Sequence, residues 1–277
     1  MPTARKGRRM AFRLGLAQCC HPADGDVLKL VDTWAARAKE AKVDLLVFPE
    51  SLMTPFDSTA DEFASQAQPI DGPFCTGVDA IAAKYGLWMV YTANELNEQG
   101  RPFNTAIVVD PAGTKQAVYR KVHLFDTDFV KESDKIAPGD ELAQPVAAPF
   151  GTIVVAICYD LRFPEQARAA AIAGADIMLY PAAWVDGPRK VDQWRALLKA
   201  RAIENEFFVA GLSRCDRAFG AAGRDYAGHS CVFSPLGDEL ASAGLDEQLL
   251  IADIDPDDIA KARAAMPVLD HRRPDAY

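Results

Sequence analysis

Three apolar runs in this chain end on residues able to do chemistry. Leu45–Pro49 leads into Glu50, Ala117–Arg120 into Lys121, and Ile153–Ile157 into Cys158. A carboxylate, an ammonium and a thiol are the parts of a nucleophilic site: a base for the thiol proton, a sulfur to attack, and a cation for the charge that develops on substrate oxygen. In α/β sheets ligands bind outside the carboxyl ends of strands, so three such endings can share one crevice. Cys158 also precedes Pro164, a residue suited to a first helical turn, and a thiol at a strand-to-helix turn lies near helix amides that favour thiolate. A small buried hydrophobe is the competing reading of the same cysteine. Histidine is the usual thiol base, and of His21, His123, His229 and His271 only His123 lies beside one of the three endings.

These residues need a framework of alternating strands and helices. Apolar runs predict strands at 12–19, 44–49, 87–94, 104–110, 115–120, 152–158, 176–180, 207–213, 230–234 and 249–254. Helical spacing predicts helices at 27–42, 77–85, 163–173, 191–205 and 257–265, the first with Leu30, Trp34, Ala38 and Lys42 along one face. From Leu87 to Lys121 strand follows strand through turns, which implies antiparallel pairing within a mixed sheet. The strand–helix–strand order of 12–49 recurs at 152–180. No linker or low-complexity tract divides the chain, so residues 11–277 are expected to form one domain behind a basic flexible tail, residues 1–10.

Composition narrows the function. The chain has 277 residues, 49% hydrophobic and 25% charged, which excludes wholesale disorder. A net charge of −9 argues against nucleic acid or anionic lipid as partner. No apolar run nears the roughly 20 residues that span a bilayer, and the segment after the basic start is too polar for a signal-peptide core, so a cytoplasmic location is expected. The six cysteines form no CxxC pair, and Cys19 and Cys20, on opposite faces of a strand, suit free thiols. The histidines are scattered, so neither a metal nor a cofactor is expected.

In the order Glu, Lys, Cys, the motifs FPES (48–51), YRKVHLFD (119–126) and ICYDLRFPE (157–165) resemble the carbon–nitrogen hydrolase (nitrilase) superfamily. PAAW (181–184), ARAIEN (200–205) and GHS (228–230) extend the resemblance over nearly the whole chain. It implies a four-layer αββα sandwich with mixed sheets, Glu50 as general base, Lys121 as electrostatic clamp and Cys158 as nucleophile. Glu132, in KES at 131–133, matches a second glutamate that positions the base and the lysine. In the implied reaction Cys158 attacks an amide carbonyl, Lys121 and the Tyr159 backbone N–H hold the oxyanion, ammonia leaves, and water hydrolyses the thioester. Because a carboxylate near pKa ~4.3 is a weak base for a thiol near ~8.5, the crevice is expected to raise Glu50 by desolvation and lower Cys158 through the lysine charge.

The continuation CYDLRFPE resembles the Nit-type amidases, which include ω-amidases and deaminated-glutathione amidases. The Trp-Glu pair of true nitrilases and the Arg-Asp-Gly run of aliphatic amidases are absent. Substrates of this branch carry carboxylates, and Arg189 is the candidate clamp, with Phe56, Phe129 and Trp184 as pocket walls. Gln193 stands where a histidine is common in the family and Glu206 where glutamine is usual, which leaves the exact substrate open. The resemblance also implies a homodimer or larger, built from the helices after Cys158 and the C-terminal tail. The competing readings are an N-carbamoyl amidohydrolase, a Cys158–His123 thiol hydrolase, and a non-catalytic family member acting as an interaction partner.

Overall fold

The computed structural model describes residues 10–128, 130–217 and 225–276. The first sheet is built from β1 (Phe12–Gln18), β2 (Leu45–Val47), β3 (Trp88–Glu95), β4 (Phe103–Val109), β5 (Lys115–Arg120) and β12 (Gln248–Ile254), in the order β12-β1-β2-β3-β4-β5. The second holds β6 (Val146–Ala148), β7 (Gly151–Val155), β8 (Ile177–Ala182), β9 (Phe208–Ser213), β10 (Cys231–Phe233) and β11 (Glu239–Ser242), in the order β11-β10-β9-β8-β7-β6. The helices are α1 (Val27–Glu40), α2 (Ala60–Gln66), α3 (Pro73–Tyr85), α4 (Pro164–Ile172), α5 (Lys190–Asn205) and α6 (Asp257–Ala265).

The period-two side-chain alternation of strands divides the apolar residues between two cores. Leu45 and Val47 of β2, Trp88 and Val90 of β3, and Ala106 and Val108 of β4 face the second sheet. Their neighbours Leu46, Met89, Tyr91, Ile107 and Val109 face Val31, Trp34, Val78 and Ala82 of α1 and α3. On the far side, Trp194 and Leu198 of α5 pack on β9. Gly211 allows that approach, because a Cβ there would lie 2.3 Å from Leu198 Cδ1. Helices, sheet, sheet, helices: these are the four layers the sequence implied. Phe12 of the first sheet stacks on Phe150 ahead of β7, with ring centroids 4.3 Å apart, and closes one end of the inter-sheet core.

The β3-β4-β5 meander is antiparallel, and the β1-α1-β2 unit with its parallel pair recurs as β7-α4-β8, both as expected. Two short strands, β6 and β11, and helix α2 went unpredicted. Helix α1 buries Val27, Val31, Trp34, Ala35 and Ala38, a stripe beside the expected one; Lys42 lies past its end, exposed, at φ 58°. The expected strand 152–158 stops at Val155, because the chain turns before Cys158. Residues 1–9 of the expected tail, and Phe129, lie outside the described residues.

Candidate active site

β2 and β5 run in the same direction through the first sheet, and the three chemically capable endings meet beyond their ends and that of β7. Glu50 follows β2 and Lys121 follows β5, both in the first sheet. Cys158 follows β7 in the second and opens a 3₁₀ turn, Cys158–Arg162. The backbone φ of Cys158 is 47°, a left-handed conformation costly for a side chain with a Cβ and kept only where surrounding structure enforces it. Here Asp160 enforces it by accepting the Ile157 N–H at 2.8 Å and the Tyr119 hydroxyl at 2.7 Å. Ser51, next to Glu50, has φ 58°, and the Arg214 guanidinium donates to its carbonyl at 3.0 Å.

Lys121 is fully buried, and its ammonium donates to Glu50 Oε1 at 2.8 Å and to Glu132 Oε1 and Oε2 at 2.8 and 2.9 Å. Burial opposes the ammonium charge, but the charges of Glu132 and Glu50 outweigh it and raise the lysine pKa well above its usual value. Glu132 sits at the start of a 3₁₀ turn, Glu132–Asp134, where its Oε2 also accepts the Phe125 N–H at 2.6 Å. Burial raises the Glu132 pKa in spite of Lys121.

Glu50 is equally buried. Its Oε1 accepts from Lys121 and from Asn104 Nδ2 at 2.9 Å, and its Oε2 accepts the Ala183 N–H at 2.7 Å. Each carboxylate oxygen offers about two lone pairs. Oε1 has both engaged, which leaves one on Oε2, and the carboxylate lies near enough to the Cys158 thiol for its charge to raise the thiol pKa. On the sequence alone, Lys121 is expected to lower the thiol pKa. The structure places it well above the ordinary value instead, because burial and the adjacent Glu50 charge outweigh the lysine. Burial and the Glu50 charge thus favour the neutral thiol.

Cys158 and Lys121 line a narrow cavity walled by Phe56, Phe125, Tyr159 and Trp184. Phe56 and Trp184 therefore stand where the sequence reading put them, and Phe125 was missed. The expected clamp Arg189 does not line this cavity. It is exposed, at φ 61°, on the turn before α5, and that turn brings the next residue, Lys190, to the wall instead. The Lys190 ammonium lies 5.2 Å from the Phe125 ring centre and 5.3 Å from that of Trp184. Arg162 is the second cation, stacked 4.9 Å from the Trp184 ring and donating to Gln193 Oε1 at 2.9 Å.

His123 does not join the thiol. Its Nδ1 pairs with Asp160 Oδ1 at 2.7 Å, and its ring stacks on Phe163 with centroids 3.6 Å apart. Asn104 was also missed in the sequence, although an asparagine entering the apolar run 105–109 is a polar residue that must find a partner when buried. Among the described residues no cluster of three or more His, Cys, Asp or Glu has the geometry to hold a metal ion.

A buried thiol, a buried carboxylate and an ammonium brought together in this way are the groups that acyl transfer through sulfur requires. Residues 13–264 match the carbon–nitrogen hydrolase family, and the chain belongs to it. It is similar to a deaminated glutathione amidase from Escherichia coli O157:H7, 33% identical over 86% of this chain and 88% of that protein. It is similar also to the omega-amidase NIT2 of Xenopus tropicalis, 31% identical over 96% of each. Its fold is that of a carbon–nitrogen hydrolase from Helicobacter pylori G27, with a TM-score of 0.91, 25% identity and 97% of each chain covered. A mutant form of an amidase from Nesterenkonia sp. AN1 matches with a TM-score of 0.77 and 27% identity over 96% of this chain and 95% of that one; it carries the acetamide moiety of fluoroacetamide on its active-site cysteine. The chain is thus a carbon–nitrogen hydrolase of the Nit-type, omega-amidase-like branch.

Proposed function

We propose that this enzyme hydrolyses the C–N bond of a small amide bearing a carboxylate, releasing ammonia through a thioester on Cys158. The observation that carries this reading is the contact set of buried Glu50, with Lys121 on Oε1 and the Ala183 N–H on Oε2, behind a pocket that Lys121 and Cys158 line together.

In the first half-reaction Glu50 Oε2 takes the thiol proton as sulfur attacks the amide carbon. Proton transfer and attack coincide, because a free thiolate is disfavoured beside Glu50 in this buried site. The negative charge moves to the carbonyl oxygen, where the Lys121 ammonium and the Tyr159 N–H receive it. Tyr159 belongs to the first turn of a 3₁₀ helix, whose leading N–H groups lack acceptors within the helix. Glu50 then gives the proton to the leaving nitrogen and ammonia departs. In the second half-reaction Glu50 deprotonates water, which attacks the thioester carbonyl; the acid leaves and the thiol is restored. Glu132 holds Lys121 in place and adds the second carboxylate that keeps the lysine charged.

The carboxylate preference rests on Arg162 and Lys190. A lysine as first residue of α5 runs against the helix dipole, whose N-terminal end already favours anions, and the penalty is sensible where an anion is to be bound. The relatives named as a deaminated glutathione amidase and an omega-amidase support the same class. The test is ammonia release from succinamate, 2-oxoglutaramate, deaminated glutathione and N-carbamoyl amino acids beside neutral butyramide. Faster turnover of butyramide than of every carboxylate-bearing amide would refute the preference.

We further read the chain as one cytoplasmic domain, without a nucleic-acid or membrane partner and needing neither metal nor cofactor, that pairs with a second copy. Exposed Ile172 of α4 and Ile203 of α5 support the pairing, and among the described residues no helix is long and apolar enough to cross a membrane. Light scattering on eluted protein checks the mass.

A further inference from the structure

A second pair of sulfurs lies outside the cavity. Cys20 follows β1 of the first sheet and Cys215 follows β9 of the second. Although 195 residues apart in the chain, their Sγ atoms are 3.4 Å apart. Both cysteines are free thiols. Cys215 is buried and Cys20 is partly exposed, so a reagent from solution meets Cys20 first. Neighbouring Cys19 is fully buried with its thiol pushed up to about 12, chiefly by burial, and takes no part.

A disulfide needs the sulfurs at about 2.0 Å, and these two already stand in van der Waals contact. The position is also one that matters. Arg214, next to Cys215, donates from Nη1 to the Ser51 carbonyl beside Glu50 and forms a double hydrogen bond with buried Asp216. A bond between Cys20 and Cys215 therefore ties one sheet to the other on the segment that braces the Glu50 turn.

We propose that Cys20 and Cys215 form a reversible dithiol–disulfide site, closed by a small-molecule disulfide such as glutathione disulfide. Ionised Cys20 attacks one sulfur of the oxidant, forming a mixed disulfide and releasing one glutathione thiolate. Cys215 then attacks the Cys20 sulfur and releases the second thiolate. The two protons lost by the cysteines end on the two glutathione thiols, and the two electrons leave the protein with them. Cys215 suits the second step by position, since its sulfur already touches the Cys20 sulfur it must attack.

The experiment incubates the full chain with glutathione disulfide and maps its thiols by peptide mass spectrometry, with Cys215→Ser in parallel. The expected result is a wild-type chain lighter by two hydrogens, with the Cys20 and Cys215 peptides joined and released by dithiothreitol, while Cys215→Ser keeps glutathione on Cys20. A wild-type chain that retains glutathione on Cys20, joins a different pair, or keeps all its thiols titratable overturns the proposal. The wild-type result decides by itself should the variant not fold.

Discussion

The Glu50 carboxylate accepts the Ala183 N–H at 2.7 Å, so a side chain carried by the first sheet is positioned by the main chain of the second. The proposed acceptor for the Cys158 proton is thereby tied to the same sheet that carries Cys158. Any shift of one sheet against the other moves base and nucleophile apart, which explains why the site needs the four-layer framework to form at all.

Replacing Glu50 by Gln retains the size of the side chain but removes the base and turns one acceptor oxygen into a donor. With a carboxylate-bearing amide, kcat is expected to fall by about 10²–10⁴, the usual share of a general base. Ammonia release under saturating succinamate is the check.

The Cys158 thiol has its pKa raised above about 9 by burial and by Glu50. The ultraviolet thiolate difference between wild type and Cys158→Ala should therefore stay flat up to that pH. A step between pH 5 and 8 would show a preformed thiolate instead. Since the folded-state value lies above the unfolded one, the neutral thiol contributes stability in full below pH ~9, and that contribution is lost as pH rises through the folded-state value.

Arg162 and Lys190 are expected to act on binding of the carboxylate end. Arg162→Gln and Lys190→Met should each raise KM for succinamate by roughly tenfold, as expected for one lost charge-assisted hydrogen bond of about 1.5 kcal/mol, with little change for butyramide. Arg189→Ala should leave both unchanged. Steady-state kinetics on the two amides separate these outcomes.

Arg214 and Asp216 are each 1% exposed and paired at 2.8 Å. Asp216→Ala leaves a buried guanidinium without its partner and should cost about 3–5 kcal/mol of stability. Urea unfolding monitored by tryptophan fluorescence measures it.

Much of this site was legible in the sequence because strand ends are. Apolar runs such as Leu45–Val47 mark a strand, and in an α/β fold the residues just after such runs gather at one edge of the sheet. The parts that escaped lay in short elements and in turns. Strands β6 and β11 have only three and four residues, too few for side-chain alternation to mark them. Helix α2 has only seven residues, and its signal was the capping box formed by Thr59 and Glu62. Arg189 and Lys190 are neighbours in a turn, and only the left-handed backbone at 189 decides which one meets the cavity. The direction of the Cys158 shift depends on the balance between burial, one carboxylate and one ammonium, and chain order does not give distances.

The central claim is that Cys158 carries the acyl group. Its most direct test is ammonia release from succinamate by Cys158→Ala, with folding verified by circular dichroism. Release indistinguishable from the enzyme-free blank is the predicted result; release within tenfold of wild type would contradict the account.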